Sequence, residues 1–250
     1  MSGRIGPLQL EPVLQDGLVV YLNAASFDSY PKTGHDWYDL SGYGNNATLG
    51  RDYPDSYPTY YNGPARIRMS EQGAFPGGAT ILPGNSYTYP TNFTWQIWHY
   101  YNSAYDLEGL FWSEQFNKNF LTLYRNVDGN IYGPYPFARI DTGNSVYWSL
   151  YSGTIFNGGF NSILTGRWEL TTIIKNGTTF SWYWADVLKW QVVIPDWIIY
   201  NSAQQIFIGN INGFNFPSNV DIGQVMMYNR VLTDTEIAYN YNSTKPRFGL

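Results

Sequence analysis

The stretch from Val220 to Asn242, VDIGQVMMYNRVLTDTEIAYNYN, constrains this chain more than any other. Asp221 to Tyr228 is a short apolar run suited to a strand. Side chains alternate along a strand, so Val225 and Met227 face one side and Gln224, Met226 and Tyr228 the other. Asn229 and Arg230 turn the chain. Thr233 to Glu236 then reads TDTE, a capping box. The Thr233 hydroxyl accepts from the Glu236 amide, and the Glu236 carboxylate reaches back to the Thr233 amide. Leu232 before the cap and Ile237 four residues after it have the spacing of a hydrophobic staple. A short helix follows and ends near Asn242, because Pro246 and its neighbours cannot continue it.

The rest of the chain reads as β structure. Aromatic residues make up 19% of the 250 and charged residues only 13%, against roughly 25% charged in an average globular chain. Aromatics and threonine favour strands, and 25 glycines with 14 prolines supply turns. Most of these aromatics are core. The 14 basic and 19 acidic side chains leave a net charge of −5 with no basic stripe, which argues against nucleic-acid binding. Without cysteine there is no disulfide, thiolate zinc site or cysteine nucleophile. The opening MSGRIGPLQLEPVLQ lacks the apolar core of a signal peptide. No run of 18 apolar residues exists, so membrane insertion is not expected.

Residues 1–15 read as an extended N-terminal arm or a disordered terminus, 16–245 as one domain and 246–250 as a tail. Asp16 to Ala24 is a strand whose apolar run, Leu18 to Leu22, has both faces covered, as in a central strand. Phe93 to Tyr101 is a strong strand: Phe93, Trp95, Ile97 and His99 point one way, Thr94, Gln96, Trp98 and Tyr100 the other. His99 is expected to be a packed residue. Leu107 to Trp112 and Asn119 to Arg125 form the next strand pair, followed by a hairpin-type turn at Asn126 to Asn130. Arg167 to Lys175 and Thr179 to Ala185 make a hairpin around Asn176-Gly177, with Phe180, Trp182 and Trp184 on one face. The next turn, Ala185-Asp186-Val187, carries no glycine. Leu188 to Ile194 and Gln205 to Ile208 are further strands. Arg51 to Gly63, with several tyrosines around Pro54 and Pro58, is a long surface loop of the kind that makes contacts.

Three stretches carry a family resemblance. DGLVVYLNA at Asp16, WYDLSGYGNNATL at Trp37 and the closing DIGQVMMYNRVLTDTEIAYNYN together resemble concanavalin A-like, laminin-G-like jelly-roll domains. The tail YNSTKPRFGL is similar to copies of that domain in tailed-bacteriophage virion proteins. The resemblance spans about Asp16 to Asn242. It implies an all-β, two-sheet antiparallel jelly-roll sandwich with a short C-terminal helix. Rim loops of related jelly rolls can hold calcium on Asp and Asn oxygens, and Asp39, Asn45 and Asn46 are the matching positions. Calcium wants six to eight oxygens, more than these supply, and Asp39 capping its own turn amides is the competing reading. No other cofactor is implied.

Three functions compete. The phage-like resemblance implies a non-enzymatic virion structural protein, a capsid decoration or a tail or fibre component, assembled in the host cytoplasm. Its partners would be other virion proteins, copies of itself and a host-surface glycan. A soluble carbohydrate-binding lectin outside any particle is the alternative; in either case the rim-loop aromatics Tyr43 and Tyr57 are the candidate ligand contacts. A laminarinase-like glycoside hydrolase comes last. Such enzymes need two carboxylates flanking the bond, and the family's ExDxxE string is absent. The nearest acidic cluster is Asp106 and Glu108, with Glu114 further on.

Overall fold

A computed structural model of the protein describes residues 12–50, 58–69, 78–81, 92–102, 110–115, 118–120, 122–124, 135–137, 166–193, 205–209 and 219–250. They form strands β1 (Leu18–Asn23), β2 (Asp36–Trp37), β3 (Ala47–Leu49), β4 (Thr59–Asn62), β5 (Ala65–Met69), β6 (Ala79–Ile81), β7 (Phe93–Tyr101) and β8 (Phe111–Gln115). There follow β9 (Lys118–Phe120), β10 (Thr122–Tyr124), β11 (Tyr135–Phe137), β12 (Trp168–Asn176), β13 (Thr179–Trp184), β14 (Val187–Val193), β15 (Gln205–Ile208) and β16 (Val220–Tyr228). Helix α1 (Asp234–Thr244) and a 3-10 turn (Lys245–Phe248) close the chain.

Apart from the two-stranded β10-β11 ladder, the strands build two antiparallel sheets. The larger runs β14-β13-β12-β7-β16-β5-β4, and the smaller β2-β3-β6-β15-β8-β9. β16 lies against β7 along its length; its other flank is shared, with Val220–Ile222 on β5 and Gln224–Tyr228 on β1. Trp95, Ile97, Ile173, Trp182, Val225 and Met227 of the large sheet meet Trp37, Leu49, Ile81, Phe111, Ile206 and Ile208 of the small one in a single buried core. This is a jelly-roll sandwich.

The opposite face of the large sheet is covered by α1. Trp98, Leu170, Met226 and Tyr228 pack there with Leu232, Ile237 and Phe248. Val225 and Met227 thus lie inside the sandwich and Met226 and Tyr228 under the helix, as their alternation requires. Val220 and Ile222 also reach the inner core, which breaks the parity. A bulge between Ile222 and Gln224 restores it by inserting one unpaired residue, Gly223. A Cβ on Gly223 would lie 2.5 Å from the Phe248 ring, so the bulge needs glycine to let the C-terminal turn approach.

The capping box forms at Thr233: the Thr233 amide donates to Glu236 at 2.8 Å and the Glu236 amide to the Thr233 hydroxyl at 3.3 Å. Leu232 and Ile237 are both buried, completing the staple. The helix runs two residues past Asn242, to Thr244, because Pro246 falls in the first turn of the 3-10 segment, where its missing N–H costs nothing.

Several expectations change. β1 is buried on both faces yet is not central: one flank pairs with β16 and the other meets a loop. The hairpin turn after β12 is Gly177-Thr178, since Asn176 pairs with Thr179. Gly177 takes φ +56, the glycine-first arrangement of a two-residue hairpin. Of the strand expected at Leu107 to Trp112, residues 107–109 lie outside the described residues and the described strand is Phe111–Gln115; Thr59–Asn62 of the expected surface loop is an edge strand. Val13 and Phe248 both belong to the core under the helix, and Phe248 stacks on Trp98 at 4.3 Å. Asp106, Glu108 and the turn at Asn126 to Asn130 lie outside the described residues.

Candidate functional site

The residues expected to ligate calcium seal a sheet edge. Asp39 Oδ1 accepts from the Tyr21 amide at 2.8 Å and the Ser41 amide at 2.9 Å; Oδ2 accepts from the Ser41 hydroxyl at 2.6 Å and the Asn45 amide at 3.0 Å. Asn45 Nδ2 donates to the Val19 carbonyl at 2.7 Å, and the Leu40 amide donates to the Tyr21 carbonyl. The Ser29 hydroxyl accepts from the Asn23 amide. An exposed strand edge is a hazard that folds must cover, and this loop covers the outer flank of β1. Asn46 Oδ1 accepts from the Asp39 amide at 2.9 Å. Asn45 Oδ1 is buried without a protein donor. Among the described residues, no cluster of three His, Asp or Glu side chains is placed to hold a metal. Tyr43 stands 56% exposed on the same loop. Tyr57 lies outside the described residues.

A second place gathers groups suited to a ligand. Where β12 begins and β13 turns into β14, Arg167, Trp168, Glu169, Trp184, Lys189 and Tyr241 line a cleft of about 350 Å³, within the size range of small-ligand sites. Arg167 and Glu169 are two apart on the strand entry and so share a face. The Arg167 Nε donates to Glu169 Oε1 at 2.6 Å, and the guanidinium lies 5.0 Å from the centre of the Trp184 ring. Arg167 is half exposed while Glu169 is 7% exposed. Burial pushes the Glu169 carboxyl up to about 7, outweighing the hydrogen bond and charge of Arg167. The Arg167 Nη groups and Glu169 Oε2 have no hydrogen bond to the described residues, so the donors of a guanidinium that lies over the Trp184 ring stand beside a carboxylate acceptor.

This cleft was not singled out in the sequence, because it is assembled from three separated stretches. One signal was available: in a chain so poor in charge, an Arg and a Glu two apart on a strand are unusual. His99 sits opposite Glu169 in the β7–β12 register. Its Nε2 is 2.9 Å from the Thr171 hydroxyl, and burial pushes the imidazole down to about 3, holding it neutral. This agrees with a packed role.

No protein-family model matches the chain, and no curated protein does. Solved structures do. The chain is similar to domain 4 of AbnA, a GH43 extracellular arabinanase from Geobacillus stearothermophilus, solved with arabinotriose: 16% identity, 88% of this chain and 96% of that one, TM-score 0.65. It is also similar to the binding domain of botulinum neurotoxin DC, solved with rat synaptotagmin II: 15% identity, 92% of this chain and 52% of that one, TM-score 0.60. A third is Trypanosoma rangeli sialidase: 15% identity, 92% of this chain and 33% of that one, TM-score 0.60. The chain therefore spans about half of the toxin domain and a third of the sialidase. At these identities what the four chains share is the fold, a jelly-roll β-sandwich.

Proposed function

We propose that this protein is a non-catalytic carbohydrate-binding module, and that the cleft of Arg167, Glu169 and Trp184 is its binding site. The observation that carries this reading is the pairing of an aromatic face with a fixed donor–acceptor couple. A sugar ring offers apolar C–H faces and vicinal hydroxyls that both donate and accept. Trp184 can take the first, and the Arg167 Nη groups with Glu169 Oε2 the second. Solved neighbours that carry arabinotriose, or that belong to a sialidase, make the ligand class reasonable for this fold. Among the described residues that line the cleft, Glu169 is the one carboxylate side chain; glycoside hydrolysis calls for two.

The phage-like sequence resemblance supports a place for this module on a virion, with the sugar-binding cleft turned to the host surface. A free-standing lectin uses the same site. Binding is tested by glycan array and calorimetry with the whole chain. Trp184→Ala should abolish the signal while the circular dichroism of the sandwich persists. Binding that survives both Trp184→Ala and Arg167→Ala would remove the cleft from consideration. Quantitative mass spectrometry of purified particles tests the virion placement: absence of the chain from every particle would leave the lectin alone.

A further inference from the structure

A second charged assembly lies on the outer face of the large sheet, at the β4–β5 end. Ile67 and Met69 point into the inner core and Tyr60 packs against it, so Arg66, Arg68 and Tyr61 face outward by strand alternation. Asp221 of β16, 1% exposed, holds both arginines. Its Oδ2 accepts from Arg66 Nε at 2.6 Å and its Oδ1 from Arg68 Nε at 2.6 Å. Asn102 Nδ2 donates to Oδ1 at 2.9 Å. Both guanidinium carbons lie 4.7 Å from the centre of the Tyr61 ring.

The donor count of this assembly is not balanced. Arg68 spends Nη2 on Asn102 and Asp221 and Nη1 on the Tyr61 hydroxyl. Arg66 spends Nη1 on the carbonyls of Gly63 and Pro64. Arg66 Nη2 has no acceptor among the described residues, and the Tyr61 hydroxyl accepts from Arg68 but donates to none of them. Two guanidinium charges face one carboxylate, which leaves a net charge of +1. The arginines are fixed by a buried anion, so their free edge is held in place before any ligand arrives; that preorganisation lowers the entropic cost of binding.

We propose that Arg66 and Tyr61 form a second ligand site, one that takes a carboxylate or phosphate group of a small ligand. Arg66 Nη2 and the Tyr61 hydroxyl donate to two oxygens of that group, and the excess positive charge supplies the attraction. The site is separate from the cleft at Arg167 and does not depend on its reading.

Nuclear magnetic resonance titration of the whole chain with glucuronate, inorganic phosphate and glucose tests it. Glucuronate or phosphate should shift resonances around Tyr61 and Arg66, and glucose should not; which anion binds tells a sugar acid from a phosphate source. Arg66→Gln should weaken the anion by at least about tenfold, the loss expected for one charge-assisted hydrogen bond. Tyr61→Phe, which keeps the ring under the arginines, should weaken it as well and guards against a misfolded Arg66 variant. Trp184→Ala should leave it unchanged. No shift with either anion, equal shifts with glucose, or affinity unaffected by Tyr61→Phe and Arg66→Gln together would overturn the proposal.

Discussion

The Leu14 amide donates to the Asn240 side chain at 3.0 Å, tying the N-terminal segment to the last helix. Asn240 is fully buried, and its Nδ2 donates to Gln96 Oε1 at 2.7 Å and to the Tyr228 hydroxyl at 2.9 Å. Tyr228 in turn donates to the Leu14 carbonyl, and Gln96 to Thr172. One amide side chain thus joins the N-terminal segment, two central strands and the helix. Asn240→Ala strands a donor and two acceptors at about 1 kcal/mol each, so equilibrium unfolding should report a loss of about 3 kcal/mol. Deleting residues 1–15 removes Val13 and Leu14 from the same core and should lower Tm too.

Asp39 has its four protein donors already in place. Asp39→Ala leaves the amides of Tyr21, Ser41 and Asn45 without an acceptor, a loss again of about 3 kcal/mol. A calcium ion would have to displace those donors, so calcium or a chelator should leave the wild-type Tm unchanged in calorimetry. A calcium-dependent rise that vanishes in Asp39→Ala would show that the loop exchanges its donors for metal.

Glu169 and His99, opposite each other across β7 and β12, should act on stability with opposite sign. Native Glu169 titrates near 7 against an ordinary 4.5, so between those values the folded protein holds a proton that the unfolded chain releases, and stability falls as pH rises. Native His99 titrates near 3 against 6.5, so there the unfolded chain holds the extra proton and stability rises with pH. The two limbs offset each other between about 4.5 and 6.5. Glu236, pulled down to about 2 by Arg230, titrates below that window. Glu169→Gln removes the falling limb. Its stability should therefore climb with pH by about 1.4 kcal/mol per unit more steeply than the wild type's across the window. Parallel curves from urea unfolding at several pH values would refute the assignment.

How much of this was legible in the sequence depends on how local the cause is. The strand-turn-helix at Val220–Thr244 rests on neighbours within four residues, and its cap, staple and face alternation can be read from Thr233, Leu232 and Ile237. The face assignment of Phe93–Tyr101 holds for the same reason. β1 could not be placed, because full burial looks the same whether the outer flank meets another strand or a loop bearing Asp39, Ser41 and Asn45. The cleft was hidden for a different reason. Arg167 and Glu169 are neighbours, but Trp184 joins them only through hairpin pairing, and Tyr241 only through helix docking. The Arg66–Asp221 pair, separated by 155 residues, needs the β5–β16 register to exist at all.

Ala185 occupies the position of the turn where a glycine was missed. Trp184 pairs with Val187, so Ala185-Asp186 is a two-residue hairpin, and Ala185 takes φ +56. An L-residue with a Cβ loses about 1–2 kcal/mol in the left-handed region, while glycine gives back part of that gain through its freer unfolded chain. The Ala185 amide donates to the Leu170 carbonyl at 2.9 Å, a bond any residue with an N–H keeps. Ala185→Gly should therefore stabilise the protein by about 0.5–1 kcal/mol, raising Tm by about 1–4 °C. Ala185→Val at the same place adds β-branching to the strain and should lower Tm. If both substitutions shift Tm the same way, the turn does not hold Ala185 in the left-handed region in solution.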